Sequence, residues 1–265
     1  MSKLPERRRQ EILDILETTD YAEFSFLSER FSVSEMTIRR DIDKLEDEGK
    51  IIRVYGGVRL KEKRVYDGLL EDRLRTHVNE KKKIAYEALQ LIEDGDVVAF
   101  DASTTALELS RLIKFKKKVT VITNNISITV ELSADPEITV ILLGGFLRRG
   151  SLSLIGSSMQ HYLQSLYIDK AFISCKALDF TEGVTDSAID EGEAKQAIIE
   201  RSNKVYVLAD HSKIGTLAFF KICPAERIDG IITDQEQPFT ERQRQCLADF
   251  RANGVEVIMA PPPKE

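Results

Sequence analysis

Cysteine is scarce in this chain: three among 265 residues, at positions 175, 223 and 246. They are far apart and odd in number, which excludes a disulfide framework and any close-spaced cysteine metal frame; a reducing compartment is expected. Long apolar runs are also missing. None approaches the roughly 20 residues of a membrane-spanning helix, and the first residues are charged, so a cytoplasmic protein with no membrane partner is expected. Charge of one sign is not in large excess. Lys and Arg total 38 against 44 Asp and Glu, a formal net charge of −6, which argues against a nonspecific nucleic-acid coat. Internal repeats and low-complexity segments are absent, and Pro261-Pro-Pro263 reads as a frayed terminus.

What is present is a hydrophobic content of 42%, enough for one large or two modest domains. Three regions follow from pattern: 1–60, a charged linker over 61–75, and 76–260. Acidic and basic side chains balance over residues 1–64, so the acidic excess lies beyond them.

The most informative stretch runs from Ser34 to Ile42. Ser34 is a good N-cap, because its hydroxyl accepts from a free first-turn amide. Ile38, Ile42 and Leu45 recur at helical spacing and form an inward face. Met36, Thr37 and Arg40 fall on the opposite face, with Lys44 one turn on. Arg39 flanks them at backbone-phosphate height. Gly49 is a helix stop. Asp41 points partly inward and is expected to meet an arginine of the protein.

The flanks agree. Arg8 to Thr18 predicts an amphipathic helix with Ile12, Leu13 and Leu16 inward. Ser25 is expected to cap a short helix holding Leu27 and Phe31, and Phe31-Ser-Val33 to form a turn. Residues 51–54, a turn through Tyr55-Gly-Gly57, and residues 58–60 predict a hairpin, the wing of a winged helix. Such a helix presents its N-terminal residues to base edges in the major groove. Arg40 suits a guanine, and Thr37 a thymine methyl or a phosphate. Arg53, Tyr55 and Arg59 are placed to meet the sugar-phosphate backbone. Basic residues cluster locally as Arg7-Arg8-Arg9, Arg39-Arg40, Arg53 and Arg59. A capped amphipathic helix alone is common; the three helices, turn and Gly-Gly hairpin in order give the motif its specificity.

Thr76 to Ile92 predicts a helix, and its Lys81-Lys-Lys83 run a solvated face rather than a nucleic-acid patch. Beyond it, strands are predicted at 97–100, 119–123, 138–143, 171–174, 205–209, 230–233 and 255–259. Helices are predicted at 105–113, 127–133, 157–165, 191–202 and 241–252. This alternation predicts an α/β domain with a mainly parallel sheet. Ligands of such sheets bind beyond the strands' carboxyl ends. There stand Asp101, Ser103, Thr104 and Thr105, then Asn124, then Gly144 and Gly145, and finally Asp210 and Lys213. Free amides at a helix start with hydroxyls around them suit phosphate. Taken singly, Ser-Thr-Thr reads as a cap, Gly-Gly as a turn, and His211 as a packing or surface residue.

Arg8, Ile12, Leu16 and Ser34-x-x-Thr37-Ile38-Arg39-Arg40-Asp41-Ile42 resemble the N-terminal signature of the DeoR family of bacterial transcription regulators. The second region is similar to that family too. The matching stretches are Asp101-x-Ser-Thr-Thr105, Val121-Ile-Thr-Asn124, Leu142-Leu-Gly-Gly145 with Leu147-Arg148, Gly156, Gly183-Val-Thr185, Glu191-x-x-x-Lys195 and Asp210-His-Ser-Lys213.

The resemblance implies an N-terminal winged helix-turn-helix, mainly α, followed by a larger α/β domain similar to sugar-phosphate isomerase folds. It implies DNA binding through Ser34, Met36, Thr37, Arg39, Arg40, Lys44, Arg53 and Tyr55. In the second domain it implies a phosphorylated sugar or polyol as effector, with Ser103, Thr104 and Thr105 at phosphate and Asp101 and Asn124 at hydroxyls. Lys213 would meet phosphate or a ring-end oxygen. Gly144, Gly145, Arg148, Lys176, Glu191 and Asp210 complete the set. At 175–177 the chain has Cys-Lys-Ala where the family tends to reach a glycine, so Lys176 either adds a cation to the pocket or points to solvent. Glu191 and Lys195 also fit a helix-surface ion pair. The expected partners are an operator, the effector and further copies of the chain as a dimer or tetramer. No cofactor, metal or catalytic residue is expected, and the expected role is a repressor of a carbohydrate-catabolism operon. The alternative is an isomerase-like enzyme with Asp101 or Glu191 as base.

Overall fold

The structure, a computed structural model, describes residues 5–19, 21–54, 56–60 and 70–261. The chain divides into two compact units, residues 1–66 and 67–265.

The first unit contains α1 (Pro5–Thr19), β1 (Tyr21–Glu23), α2 (Phe24–Phe31), α3 (Glu35–Asp47), β2 (Ile51–Val54) and β3 (Gly57–Leu60). β3 pairs antiparallel with both β2 and β1, so the wing is a three-stranded sheet in the order β1-β3-β2. Ile12 and Leu16 of α1, Leu27 of α2 and Ile38, Ile42 and Leu45 of α3 meet Ile51 and Val58 in one core. α3 stops in a Schellman turn. Gly49 takes φ 71°, its amide donates to the Glu46 carbonyl and that of Lys50 to Leu45, satisfying carbonyls the helix end would strand. Ser25 is not the cap of α2. Glu23 holds the N-cap position without capping a helix amide through its side chain, and Ser25 lies inside the helix, its hydroxyl donating to the Glu23 carboxylate.

The second unit contains α4 (Leu70–Arg75), α5 (Val78–Gln90), β4 (Val97–Phe100), α6 (Thr104–Leu112), β5 (Thr120–Thr123), α7 (Ile126–Leu132) and β6 (Thr139–Leu142). A hairpin of β7 (Phe146–Arg148) and β8 (Ser153–Ile155) follows, then α8 (Ser157–Leu163), β9 (Ile168–Ser174), β10 (Ala177–Asp179), β11 (Gly183–Asp186) and α9 (Ile189–Glu200). β12 (Ser202–Leu208), β13 (Phe220–Cys223), β14 (Gly230–Thr233), α10 (Glu241–Ala252) and β15 (Glu256–Met259) complete it. Seven strands form one sheet in the order β15-β14-β12-β9-β4-β5-β6, and every pairing in it is parallel. Within the expected linker over 61–75, the last six residues form α4, and residues 61–69 lie outside the described residues.

Side-chain alternation along the strands divides the core. Val98, Phe100, Phe172, Tyr206 and Leu208 face α5, α6 and α7, with Phe172 stacked on Tyr206 at 5.3 Å. Ala99, Ala171, Ile173, Val205 and Val207 face α8, α9 and α10. A parallel sheet covered on both faces needs apolar residues at successive positions, which is why its strands read as continuous apolar runs. Chain order reverses between β4 and β9: from β4 the chain steps outward through β5 and β6, then returns to place β9 on the other side. The crevice beyond the carboxyl ends of that strand pair is where such sheets take ligands. No helix among the described residues is long and apolar enough to cross a membrane.

Candidate functional site

Two sites stand out, one on each unit. On the first, Ser34 caps α3 as expected, its hydroxyl accepting from the Thr37 amide at 3.3 Å. Ile38 and Ile42 are fully buried, which fixes the opposite stripe outward. Met36 is 64% exposed, and Arg40 and Lys44 are exposed without an ion-pair partner among the described residues. Thr37 hydrogen-bonds the Ser34 hydroxyl at 3.0 Å. Arg39 lies over the Phe24 ring at 4.4 Å and 3.6 Å from Glu35.

Three basic residues are less available than the sequence suggested. Arg53 is bonded to Asp43 and lies 3.1 Å from Glu46, so it braces the wing on α3. Arg8 is 4% exposed. Its Nε donates to Asp41 at 2.6 Å, and Arg9 approaches the same carboxylate at 3.6 Å. Asp41 thus meets arginine inside the unit, as its inward position predicted. Tyr55 lies outside the described residues.

On the second unit a cavity of about 510 Å³ opens at the β4–β9 reversal. Its walls come from six places: Asp72, Arg73, Thr76 and His77 at the α4–α5 corner, Lys81 on α5, Ser103 and Thr104 after β4, Ser174 to Ala177 from the end of β9 onward, Asp186 at the end of β11 with Glu191 and Lys195 of the following α9, and Asp210, Ser212 and Lys213 after β12. Ser103 caps α6 by accepting from the Ala106 amide at 3.0 Å. Ser103 and Thr104 both line the cavity, so α6 starts at its wall, and a helix start is a place that receives an anion. Lys213 donates to Ser174 at 2.9 Å and stands 3.5 Å from Asp210.

The cavity floor is ionic. Lys195, 7% exposed, lies 2.5 Å from Asp186 and 3.3 Å from Asp101. Burial disfavours its charge, but the two carboxylates outweigh burial and hold its pKa above the ordinary lysine value. Burial likewise opposes the charge of Asp186, and Lys195 overrides it, so its carboxyl stays below the usual range. Asp210 is lowered in the same way, with burial overcome by Lys213 and the Ser212 hydroxyl. Burial also pushes the Cys175 thiol up to about 12, so it is no nucleophile.

Of the effector residues expected from sequence, Ser103, Thr104, Lys176, Glu191, Asp210 and Lys213 line this cavity. Asp101 lies beneath it, 1% exposed, accepting from the Ser174 amide and pairing with Lys195. Thr105 is buried in α6. Asn124 turns to the hairpin, donating to the Leu154 carbonyl. Gly144 and Gly145 are not among the lining residues. At Gly145 the close approach is to backbone, since a Cβ there would sit 2.3 Å from the Ile155 oxygen. Arg148 also lies behind the cavity wall, bonded to Ser151 at 3.0 Å and 3.5 Å from Glu191.

The surface ion pair weighed for Glu191 and Lys195 does not form. Both are buried; Glu191 accepts from Ser151 at 2.6 Å and Ser153 at 2.5 Å, while Lys195 turns to the aspartates. The solvated Lys81–Lys83 face is corrected as well. Lys81 is buried in the cavity wall, Lys83 pairs with Glu236, and only Lys82 is exposed. The 175–177 loop carries no positive φ, so alanine fits at 177 without strain. Arg73, Lys81 and Asp186 carried no sequence signal of a site, because no strand end adjoins the first two and Asp186 ends a strand of the small antiparallel sheet β10-β11-β13. His211 is a packing residue, buried against Asp234 at 2.9 Å.

Comparison with known proteins follows the same division. A DeoR-like helix-turn-helix domain matches residues 8–64, and a DeoR C terminal sensor domain matches residues 76–235. The chain is 38% identical over 230 residues to the uncharacterized HTH-type transcriptional regulator YulB of Bacillus subtilis (strain 168), covering 86% of this chain and 88% of that protein. It is 36% identical over 255 residues to the HTH-type transcriptional repressor GlcR of the same strain, covering 96% of each. A solved ribose 5-phosphate isomerase from Methanocaldococcus jannaschii is similar over 52% of this chain and 55% of its own, at 18% identity and a TM-score of 0.39. With a helix-turn-helix domain matched over residues 8–64, a sensor domain matched over 76–235, and relatives 36–38% identical over most of its length, the chain belongs to the DeoR family of transcriptional regulators.

Proposed function

We propose that the protein is a cytoplasmic repressor of a carbohydrate-catabolism operon, and that a phosphorylated sugar or polyol bound in the second unit controls its hold on the operator. The observation that carries this reading is the cavity at the β4–β9 reversal, where the α6 N-terminus at Ser103 and Thr104 meets Lys213 and Lys81. Its volume suits a metabolite of that size. The amides of α6 take the phosphate, and Lys213 supplies a positive charge beside it. Asp186, Asp210 and Glu191 accept from the hydroxyls of the carbon chain. On the first unit Met36, Thr37, Arg40 and Lys44 read the major groove, with Arg39 on the phosphate backbone. Paired copies of the chain match the two halves of an operator, spaced by helical turns of roughly 34 Å. The similar Bacillus subtilis protein GlcR is named a transcriptional repressor, which supports the sign of control.

A binding role fits this cavity better than isomerisation. A general base working near neutral pH needs a raised carboxylate, whereas Asp186 and Asp210 are lowered, and Asp101 is committed to Lys195 and the Ser174 amide. The test is a thermal-shift screen of sugar and polyol phosphates on the full chain. A binder raises the melting temperature by mass action, and Thr104→Ala or Lys213→Ala removes the shift. A screen in which no phosphorylated compound moves the melting temperature defeats the effector reading; measurable aldose–ketose turnover defeats the non-enzymatic one.

A further inference from the structure

One wall of the cavity is built differently from the rest. α4 is six residues long and buries no side chain; only Leu74 packs partly against the core. A helix that short has no stability of its own. Polar contacts at the cavity edge hold it instead. Lys81, on α5, donates its ammonium protons to the carbonyls of Arg73 and of Thr76, the latter at 2.6 Å. Arg73 donates to the Ala102 carbonyl at 3.5 Å, one residue before the Ser103 cap. Thr76 closes the turn onto the Asp72 carbonyl at 2.8 Å, and His77 turns the corner into α5 at φ 50° with its ring edge-on to His211 at 5.5 Å. Asp72, Arg73, Thr76, His77 and Lys81 all line the cavity. α4 is also the first described element after residues 61–69, through which the chain comes from the first unit.

We propose that α4 is the ligand-responsive element of the protein: an anion seated at Ser103 and Thr104 engages Arg73 and Lys81, fixes α4, and so sets the point at which the chain enters the second unit from the DNA-binding unit. This rests on the effector reading above and adds its route of control. A ligand shifts a conformational balance only by binding one state better. Here the difference lies in the two cations, which reach the anion together only when α4 is docked. Weakly stabilised elements of this kind are the ones that switch.

The test is hydrogen–deuterium exchange on the full chain, with inorganic phosphate and glucose 6-phosphate as probes and melting temperature measured alongside. The expected result is slowing of amide exchange over residues 70–78 on the order of tenfold, with β9 and β12 unchanged. In Lys81→Met, protection of β9 and β12 reports an intact fold. Residues 70–76 then exchange faster without probe, and no probe restores them. A probe that raises the melting temperature while exchange over 70–78 stays unchanged overturns the role of α4 and leaves the effector reading standing. Wild-type protection of 70–76 in Lys81→Met overturns it as well. If no probe changes either melting temperature or exchange, both readings fall.

Discussion

The two units solve opposite problems with the same chemistry. Each frame contains a buried ion pair: Arg8 with Asp41 in the first, Lys195 with Asp186 and Asp101 in the second. Their functional groups then part company. The outer stripe of α3 leaves Met36, Arg40 and Lys44 in water, because a duplex brings a large surface of its own. In the second unit Ser103, Thr104, Lys81 and Lys195 are almost wholly buried, which suits the small anion proposed there, since it has little surface and is gripped only where water is displaced. Charge in the open gives reach; enclosed charge gives grip, and requires a paired floor beneath it.

The largest expected effects fall on those two frames. Asp41→Ala removes the buried carboxylate that Arg8 and Arg9 share, and Lys195→Met leaves Asp186 and Asp101 facing each other; each should cost about 3–5 kcal/mol in urea unfolding. A loss below about 1 kcal/mol for either would show that its pair is not a frame element. Next comes Arg40→Ala. It should weaken specific operator binding by roughly 1–3 kcal/mol while leaving the melting temperature of the chain unchanged, as read by fluorescence anisotropy and calorimetry together. Ser34→Ala removes the cap of α3 and should cost about 1 kcal/mol of stability, with operator affinity falling only as far as α3 frays.

The smallest effect separates the sites by pH. Burial, then the nearby Lys213, pulls Lys81 down to about 8 from an ordinary value of 10.5. Between those values the unfolded chain holds the proton and the folded chain does not, so the Lys81 contribution favours folding as pH rises through the window. The same deprotonation removes a cation from the cavity. Sugar-phosphate affinity measured by calorimetry should fall several-fold from pH 7 to pH 9, whereas Arg40 stays charged throughout. A phosphate affinity that holds level over that range would remove Lys81 from the anion site.

The convex site was legible in the sequence and the concave one only by half, for a geometric reason. α3 is one segment, and a single helical period assigns Ile38 and Ile42 inward and Met36 and Arg40 outward. The cavity is assembled from six places. Lys176 entered only through the family resemblance, whereas strand-end reasoning finds the places that follow β4 and β12, hence Ser103, Thr104, Asp210 and Lys213. It is blind to α4 and α5, where Arg73 and Lys81 look like ordinary linker and helix-surface cations. It also overreads residues whose polar groups serve the frame. Asn124 and Gly145 follow strands too, but they lie at β5 and β6, away from the reversal, and turn to the β7–β8 hairpin. The Glu191–Lys195 spacing suggested a pair on the surface, whereas burial gave each a nearer partner.

The central claim, that reading DNA and sensing an anion are separate tasks of separate units, is tested most directly by titrating the full chain with a labelled fragment of its own promoter region. The titration is run with and without the sugar phosphate that gives the largest thermal shift, for the wild type, Arg40→Ala and Thr104→Ala. Arg40→Ala is expected to lose specific operator binding but keep the thermal shift, and Thr104→Ala to bind the operator as the wild type does but no longer respond to the sugar phosphate. An Arg40→Ala chain that binds the promoter with wild-type affinity, or a Thr104→Ala chain that still responds in full, would contradict the claim.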